Sequence, residues 1–564
     1  MNDAFAPTKN TTTPIPAWVR WLIVAVFVGV WVVIALSYPV YFQRDDARGL
    51  AWVQTHDFAD CFSTSMNGTR SHDGRYRPLP FLAFMIMYRV FGFGSHGWHL
   101  MLGAVFILSM IFMFKLVKFL SDEPTAHLAT LLWLGAFQFL LTVLFWFGDM
   151  IFVLEMLLVF SGLYFLVTGF GKSVTRLALG MLLLAASFLE KEPTLIIVPF
   201  AAATYIWTCG SERYGLTSSR RVLYAAIALL SAPVFLAIFP YALQTNAGSM
   251  HSGAAAGIVT RLQFFSKQLA SGTTGLILLI PALYYSTQAA MGRQGARRFP
   301  VCLAIALVAS LFILKAHLYP LGILALAVAA LLLPRRYYIF VPWAFLPFLG
   351  LLAFPGMFRT YLYELSFALA ALAALETRVL LADLKEWWNQ RVKNPAITCT
   401  AVSLVAVAAL SLASIKAGSQ GPLLRRRSDS TMAVKEITPQ LKRLPANSTL
   451  VVVDYNSLDW NGAKAATVSE EDKLLVQGPM LPYYNAQGWM KAIGRNDVRV
   501  IQFEEFRRRP GTVLRAGETF LWLMTPTDHK LASSLGINGP AYASARRGTV
   551  QMDLIRLTQG GKPL

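Results

Sequence analysis

Read for its alternation of apolar and polar positions, the chain is a succession of long apolar runs broken by short charged turns. Thirteen runs stand out, at about 17–40, 98–119, 126–147, 150–170, 174–190, 193–208, 221–242, 270–290, 299–316, 318–334, 337–354, 360–380 and 396–416. Most approach the roughly 20 residues that carry a helix across a bilayer, while the pair at 174–190 and 193–208 is short for two spans. Beyond about residue 416 the pattern changes. The runs "STLVVVDY", "DVRVIQF", "TFLWLM" and "TVQMDLIRL" read as strands alternating with helix-like stretches, a small α/β unit. The expectation is therefore an all-α polytopic membrane protein of about 13 transmembrane helices with a C-terminal α/β domain. Its parts are a tail over 1–16, a membrane domain over 17–416 and a hydrophilic domain over 417–564.

Composition agrees with a lipid environment. The chain is 55% hydrophobic and only 14% charged, against roughly 25% charged in soluble proteins. Its net charge of +20 falls largely where the positive-inside rule asks for it. With a cytoplasmic N-terminus, the inside turns carry Lys115 and Lys118, Lys172 and Arg176, then Arg213, Arg220 and Arg221. Arg293, Arg297 and Arg298 follow, then Arg335 and Arg336, then Arg378, Lys385, Arg391 and Lys393. This use of the cations, with no basic-aromatic module, excludes nucleic acid as the partner. The first run is too long for a signal-peptide core and lacks a small-x-small cleavage site, so it reads as an uncleaved anchor. The four cysteines have neither paired nor metal-ligand spacing.

This sidedness collects the candidate chemistry on the outer face. The first outer loop, about 41–97, opens with Asp45 and Asp46 and contains "PLPFLAFMIMYRVFGF", a stretch suited to a helix lying in the interface. A carboxylate pair beside such a helix suits a lipid-borne substrate, with one Asp as base and the other holding a metal ion or orienting a cation. The plainer alternative is a cap for a helix starting near Ala47. Asp149 sits in the tight turn "FWFGDM", where it could equally cap the next helix. Glu190, Lys191 and Glu192 form the turn "FLEKEP", whose plainer reading is a solvated loop tip. Charges at membrane depth are costly and tend to mark substrate sites. Arg75, Arg77, Lys191, His251 and Arg359 are the cations able to neutralise a phosphate, arginine doing so with two parallel hydrogen bonds.

In order, "YFQRDD", "SHDGRYRPLPFLAF", "GWHLMLGAVFIL" and "EKEPTLIIVP" resemble the membrane half of GT-C glycosyltransferases. The likeness is nearest to tetratricopeptide-bearing transmembrane O-mannosyltransferases. It extends more loosely to protein O-mannosyltransferases and to the bacterial aminoarabinose transferases of lipid A. It covers about residues 20–210; from 210 to 416 it rests on span count alone, and the C-terminal domain lacks tetratricopeptide repeats. The resemblance implies inverting transfer from a polyprenyl- or dolichyl-phosphate sugar to a glycan, lipid or protein acceptor. In a bacterium the site and C-terminus would then face the periplasm from the inner membrane. By motif, Asp45 would be the base, with Asp46 its neighbour in the pair and Asp149 a second acidic residue. Arg77, Lys191 and Arg359 would stabilise the departing phosphate, with His251 and Arg75 as further cations and Tyr76, Glu190 and Glu192 in support. The family includes enzymes with and without a metal, so a divalent ion (Mg or Mn, on Asp45, Asp46 and Asp149) stays open.

Two rivals fit less well. A transporter or flippase would place ionisable groups within the spans, and here Glu155 and Glu364 are the exceptions to nearly bare interiors. An O-antigen ligase or polymerase would use Arg and His in a large outer loop, which "SMHSGAAAGIVTRLQFFSK" could imitate.

Overall fold

The computed structural model describes residues 41–42, 46–63, 77–136, 150–190, 193–238, 258–270, 272–292, 298–353, 362–389, 421–452, 483–515, 518–524, 541–548 and 550–557, with eight single positions (21, 25, 29, 147, 529, 532, 533 and 537). The first loop supplies helices α1 (Asp46–Thr55) and α2 (Pro78–Phe91). The bundle follows with α3 (Ser95–Leu120), α4 (Glu123–Ala136), α5 (Met150–Gly169), α6 (Val174–Phe188), α7 (Thr194–Tyr214) and α8 (Ser218–Ile238). It continues with α9 (Ile258–Ala270), α10 (Gly272–Ala290), α11 (Phe299–Lys315), α12 (Tyr319–Leu332), α13 (Phe340–Ala353) and α14 (Tyr363–Asn389).

These helices fall on the apolar runs, but the expected count of about 13 spans is wrong. Among the described residues five helices are long and apolar enough to cross a membrane: α3, α5, α7, α8 and the stretch Tyr363–Trp387 of α14. The number rises to six if α9 and Thr274–Ala290, which meet at 86°, count as one broken span. The reason is geometric. Hydropathy sums run on through turn residues, whereas α6, α11, α12 and α13 have 15, 17, 14 and 14 helical residues. At 1.5 Å per residue these are about 21–26 Å long, short of a hydrocarbon core of about 30 Å. The expected spans 17–40 and 396–416, and residues 137–146 of the span 126–147, lie outside the described residues, apart from Trp21, Ala25 and Gly29, which are helical.

Close packing of α5 on α6 sets the register of the bundle. A Cβ at Gly162 would meet Leu184 at 2.7 Å, and one at Gly180 would meet the backbone nitrogen of Leu166 at 2.6 Å. The two helices therefore run antiparallel with their backbones nearly touching, the small-residue packing that membrane helices use. On the outside of the bundle, α8 leaves Val222, Leu223, Ile227, Leu230, Val234 and Ile238 exposed, a surface that only lipid or another apolar partner covers at low cost.

Charges separate the two ends of the bundle. At the end where α3 and α14 finish, Arg378 bonds Asp122 and Thr125, Lys118 pairs with Glu123 at 2.9 Å, and Arg213 reaches the Phe119 carbonyl at 3.2 Å. These are cations that the sequence assigns to inside turns.

The C-terminal domain packs helices on a mixed five-stranded sheet. Helix α15 (Gly421–Lys442) leads into β1 (Thr449–Val452), α16 (Tyr483–Ala492), β2 (Arg499–Gln502), α17 (Phe503–Arg508), α18 (Pro510–Arg515), β3 (Thr519–Leu523), β4 (Ala541–Arg547) and β5 (Val550–Leu557). The strand order is β2-β1-β3-β5-β4; β1 is parallel to β2 and β3, and β5 is antiparallel to β3 and β4. The four strand-like runs are β1, β2, β3 and β5. Strand β4, "AYASARR", is mostly exposed at the sheet edge and has no apolar alternation to announce it.

Gly180→Ala should lower the melting temperature of the detergent-solubilised protein, because the added methyl must displace backbone; overpacking of this kind costs about 1–3 kcal/mol. Gly103→Ala, on the open side of α3, should leave the melt unchanged or slightly raised. Equal melts for the two would mean that α5 and α6 are not packed this closely.

Candidate active site

The acid-bearing loop is anchored by one aromatic ring. Phe42 is buried and contacts Phe93 at 6.1 Å, Trp98 at 5.1 Å, Phe147 at 5.1 Å and Trp489 at 6.5 Å between ring centroids. These partners come from the end of the first loop, the start of α3, the turn before α5 and the C-terminal domain. Each buries a large apolar area, and tilted or edge contacts suit the aromatic quadrupole. Phe42 therefore ties the entrance of α1 to Phe147, three positions before α5 begins.

Asp46 is the first residue of α1, so the helix begins one position before Ala47 and Asp46 lies inside it rather than capping it. Exposed N–H groups and the macrodipole favour negative charge at such a position. Helix α2 lies antiparallel on α1: a Cβ at Gly49 would meet Phe84 at 2.9 Å, and Trp52 makes a tilted ring contact with Phe81 at 4.7 Å between centroids. Arg77 precedes this helix with φ −134° and ψ 73°, and Pro78 fills the first helical turn, as expected for a residue held out of the helical region by a following proline. The antiparallel arrangement puts Arg77 beyond Trp52, at the end of α1 opposite Asp46. Cys61 sits beneath α2 with Val53 and Met85; burial, reinforced by Asp60 and Asp57, pushes its thiol up to about 11. It is a packing residue, not a nucleophile.

The α5–α6 alignment, continued to the ends of both helices, brings Glu190 to the level of the first two turns of α5. Glu190 is fully buried in the turn between α6 and α7, so the solvated-tip reading fails for it. Thr194 closes this turn by donating to the Ser187 carbonyl at 2.9 Å. Tyr363, at the start of α14, lies 6.0 Å from Phe152, which sets Glu364 beside the same turns. Asp46, Glu155, Glu190 and Glu364 are each at most 2% exposed, and all four belong to the end of the bundle opposite the Arg378–Asp122 cluster. Arg261, buried on α9, is a cation that the sequence placed in the outer loop.

Asp45, Arg75, Tyr76, Asp149, Lys191, Glu192, His251 and Arg359 lie outside the described residues. Helix α5 starts at Met150, so position 149 immediately precedes it. Among the described residues no three His, Cys, Asp or Glu side chains gather as a metal site.

The sequence reading missed the contribution of the C-terminal domain. Thr431 Oγ1 accepts the Tyr41 N–H at 3.1 Å, and Lys435 Nζ stands 5.6 Å from the Tyr41 ring centroid. Burial pushes the Tyr41 phenol up to about 12, so the ring meets this cation uncharged. Nothing in the periodicity of "STMAVKEITPQ" signals a partner nearly four hundred residues upstream.

No family model and no curated protein matches the chain. Among solved structures, ArnT from Cupriavidus metallidurans bound to undecaprenyl phosphate is 14% identical, with a TM-score of 0.44 over 96% of this chain and 98% of that one. The same protein in its apo state gives 16% identity and a TM-score of 0.43, over 95% and 97%. The apo oligosaccharyltransferase of Archaeoglobus fulgidus gives 11% and 0.43, over 89% of this chain and 72% of that one. At such identities and scores the overlays are likenesses in outline, and the reading of function rests on this chain's own residues.

Proposed function

We propose that the chain is a GT-C-type membrane glycosyltransferase moving a sugar from a polyprenyl-phosphate donor to an acceptor hydroxyl on the outer, periplasmic face of a bacterial inner membrane. The observation that supports it most is the Phe42–Phe147 contact at 5.1 Å. It brings position 42, three residues before Asp45, against position 147, two residues before Asp149, at an end of the bundle where Asp46, Glu155, Glu190 and Glu364 are buried.

In this reading Asp45 takes the proton of the acceptor hydroxyl as its oxygen attacks the anomeric carbon. The bond from that carbon to the phosphate oxygen breaks, and the lipid phosphate leaves with the electron pair, so the configuration inverts. Asp46, seated at the N-terminus of α1, fixes the pair and repels a second anion from the base. Asp149 completes the acidic side. Lys191, Arg359, His251, Arg75 and Arg77 are the cations for the phosphate, where charge rises as the bond breaks. The sugar, the acceptor and any divalent ion are choices that these residues leave open.

Asp45→Asn should abolish release of lipid phosphate from the donor while the protein still folds, since the amide keeps the shape and loses the basicity; general bases contribute roughly 100- to 10,000-fold. Activity lost in Asp46→Asn but kept in Asp45→Asn would reverse the roles within the pair, and full activity in both would sink the assignment. Lys191→Ala and Arg77→Ala should each reduce transfer at least about tenfold with the acceptor KM little changed. Because Arg77 stands at the far end of α1 from Asp46, it is expected to raise the donor KM more than it lowers kcat. A reporter fused after about residue 300 should read cytoplasmic and one at the C-terminus periplasmic; a cytoplasmic C-terminus would remove the shared face on which the reading depends.

A further inference from the structure

Helix α1 has ten residues, too few to be stable alone in water, so its neighbours decide where its acids stand. The C-terminal domain grips it at both ends. On α15, Thr431, Lys435 and Thr438 recur at i, i+4 and i+7 and share one face. Thr431 accepts the Tyr41 N–H, Lys435 covers the Tyr41 ring, and Thr438 Oγ1 accepts the Trp489 Nε1–H at 3.2 Å. The keyed indole is 1% exposed and packs 5.8 Å from Tyr41, 6.5 Å from Phe42 and 6.1 Å from Phe93. At the other end of α1, Gln54 Nε2 donates to the carbonyl of Ala492, the last residue of α16, at 2.6 Å. That bond satisfies a terminal helix carbonyl that would otherwise lack a partner within its own helix.

We propose that the C-terminal domain is a working part of the active site, with Trp489 as a positioning residue that sets the acid pair through the Tyr41–Phe42 stretch. The proposal deepens the glycosyltransferase reading and rests on it. A base has to stand within about 3 Å of the proton it removes, and a displacement of about 1 Å can cost on the order of 100-fold in rate. Trp489 touches no reacting atom. Its loss should therefore reduce turnover and leave donor binding nearly intact.

The test uses the full-length protein in nanodiscs. The donor is the undecaprenyl-phosphate sugar fraction extracted from host membranes, and the readout is free undecaprenyl phosphate. Trp489→Ala should lower kcat at least about tenfold while the donor KM stays within about twofold. Trp489→Phe, which keeps a ring in the wedge, should restore most of the rate. Hydrogen exchange on Trp489→Ala should quicken in residues 46–55 and stay unchanged in α5. Gln54→Leu releases the other end and leaves Trp489 in place; it should lower kcat about threefold or more with the same KM, and it serves if Trp489→Ala does not fold. Wild-type kcat in Trp489→Ala, or in Gln54→Leu should the former not fold, would overturn the positioning role while an inactive Asp45→Asn left the glycosyltransferase reading standing. If Asp45→Asn and Asp46→Asn both turn over normally, the glycosyltransferase reading fails instead, and unchanged exchange in 46–55 would then overturn the clamp independently.

Discussion

The packing of Phe42 is the contact on which the arrangement depends. One buried ring meets Phe93, Trp98, Phe147 and Trp489, so a single side chain joins the first loop, the bundle and the C-terminal domain. Buried aromatic residues of this kind are worth about 3–5 kcal/mol on truncation to alanine. The directional consequence matters as much as the energy. The chain leaves Phe42 and begins α1 four residues later, at Asp46 itself. Rings that hold Phe42 therefore also limit where the carboxylates can go.

A second constraint is the cost of charge inside an apolar bundle. Ionisable groups gather towards its ends. Arg378, Arg213 and Lys118 tie helix ends together at one. Asp46, Glu155, Glu190 and Glu364 are buried near the other. Buried carboxylates are expensive to keep where packing alone would serve; four lie towards the acid loop, and a fifth, Glu376, is buried on α14 two residues before Arg378. The glycine contacts between α5 and α6 make the arrangement possible, because a close antiparallel pair fixes the height at which the Glu190 turn meets the start of α5.

The C-terminal domain contributes in a different way. Its sheet is an ordinary mixed one with a core of Val451, Leu521, Trp522 and Leu554, and Arg495 holds the exposed Asp497 carboxyl down at about 2 through paired hydrogen bonds. Neither feature concerns the membrane. What does is the outward face of α15 together with Trp489 on α16, where the domain meets Tyr41 and Phe42. A domain that the sequence presents as an appendage is thus packed against the loop with the candidate base.

Local pattern determined a good deal of this protein. Apolar runs marked nearly every bundle helix, because burial in lipid or in a bundle selects long apolar stretches whichever neighbours they meet. Short apolar runs marked four of the five strands, and Pro78 marked both the start of α2 and the non-helical backbone of Arg77. The span count was misjudged because hydropathy measures apolar length, whereas a span requires continuous helix; α11 and α12 are apolar along almost their whole length yet stop after 17 and 14 residues. The order of "YFQRDD", "YRPL" and "EKEP" along the chain was legible as a set of candidates. Which of them stand together was not, since that depends on contacts between residues remote in sequence. Only tertiary structure put Phe42 on Phe147, drew Glu190 up to the level of the start of α5, sent Arg77 to the far end of α1 and brought Trp489 onto the acid loop. Side-chain packing across such separations leaves no periodic trace in the chain, and it is this packing that decides where the carboxylates stand.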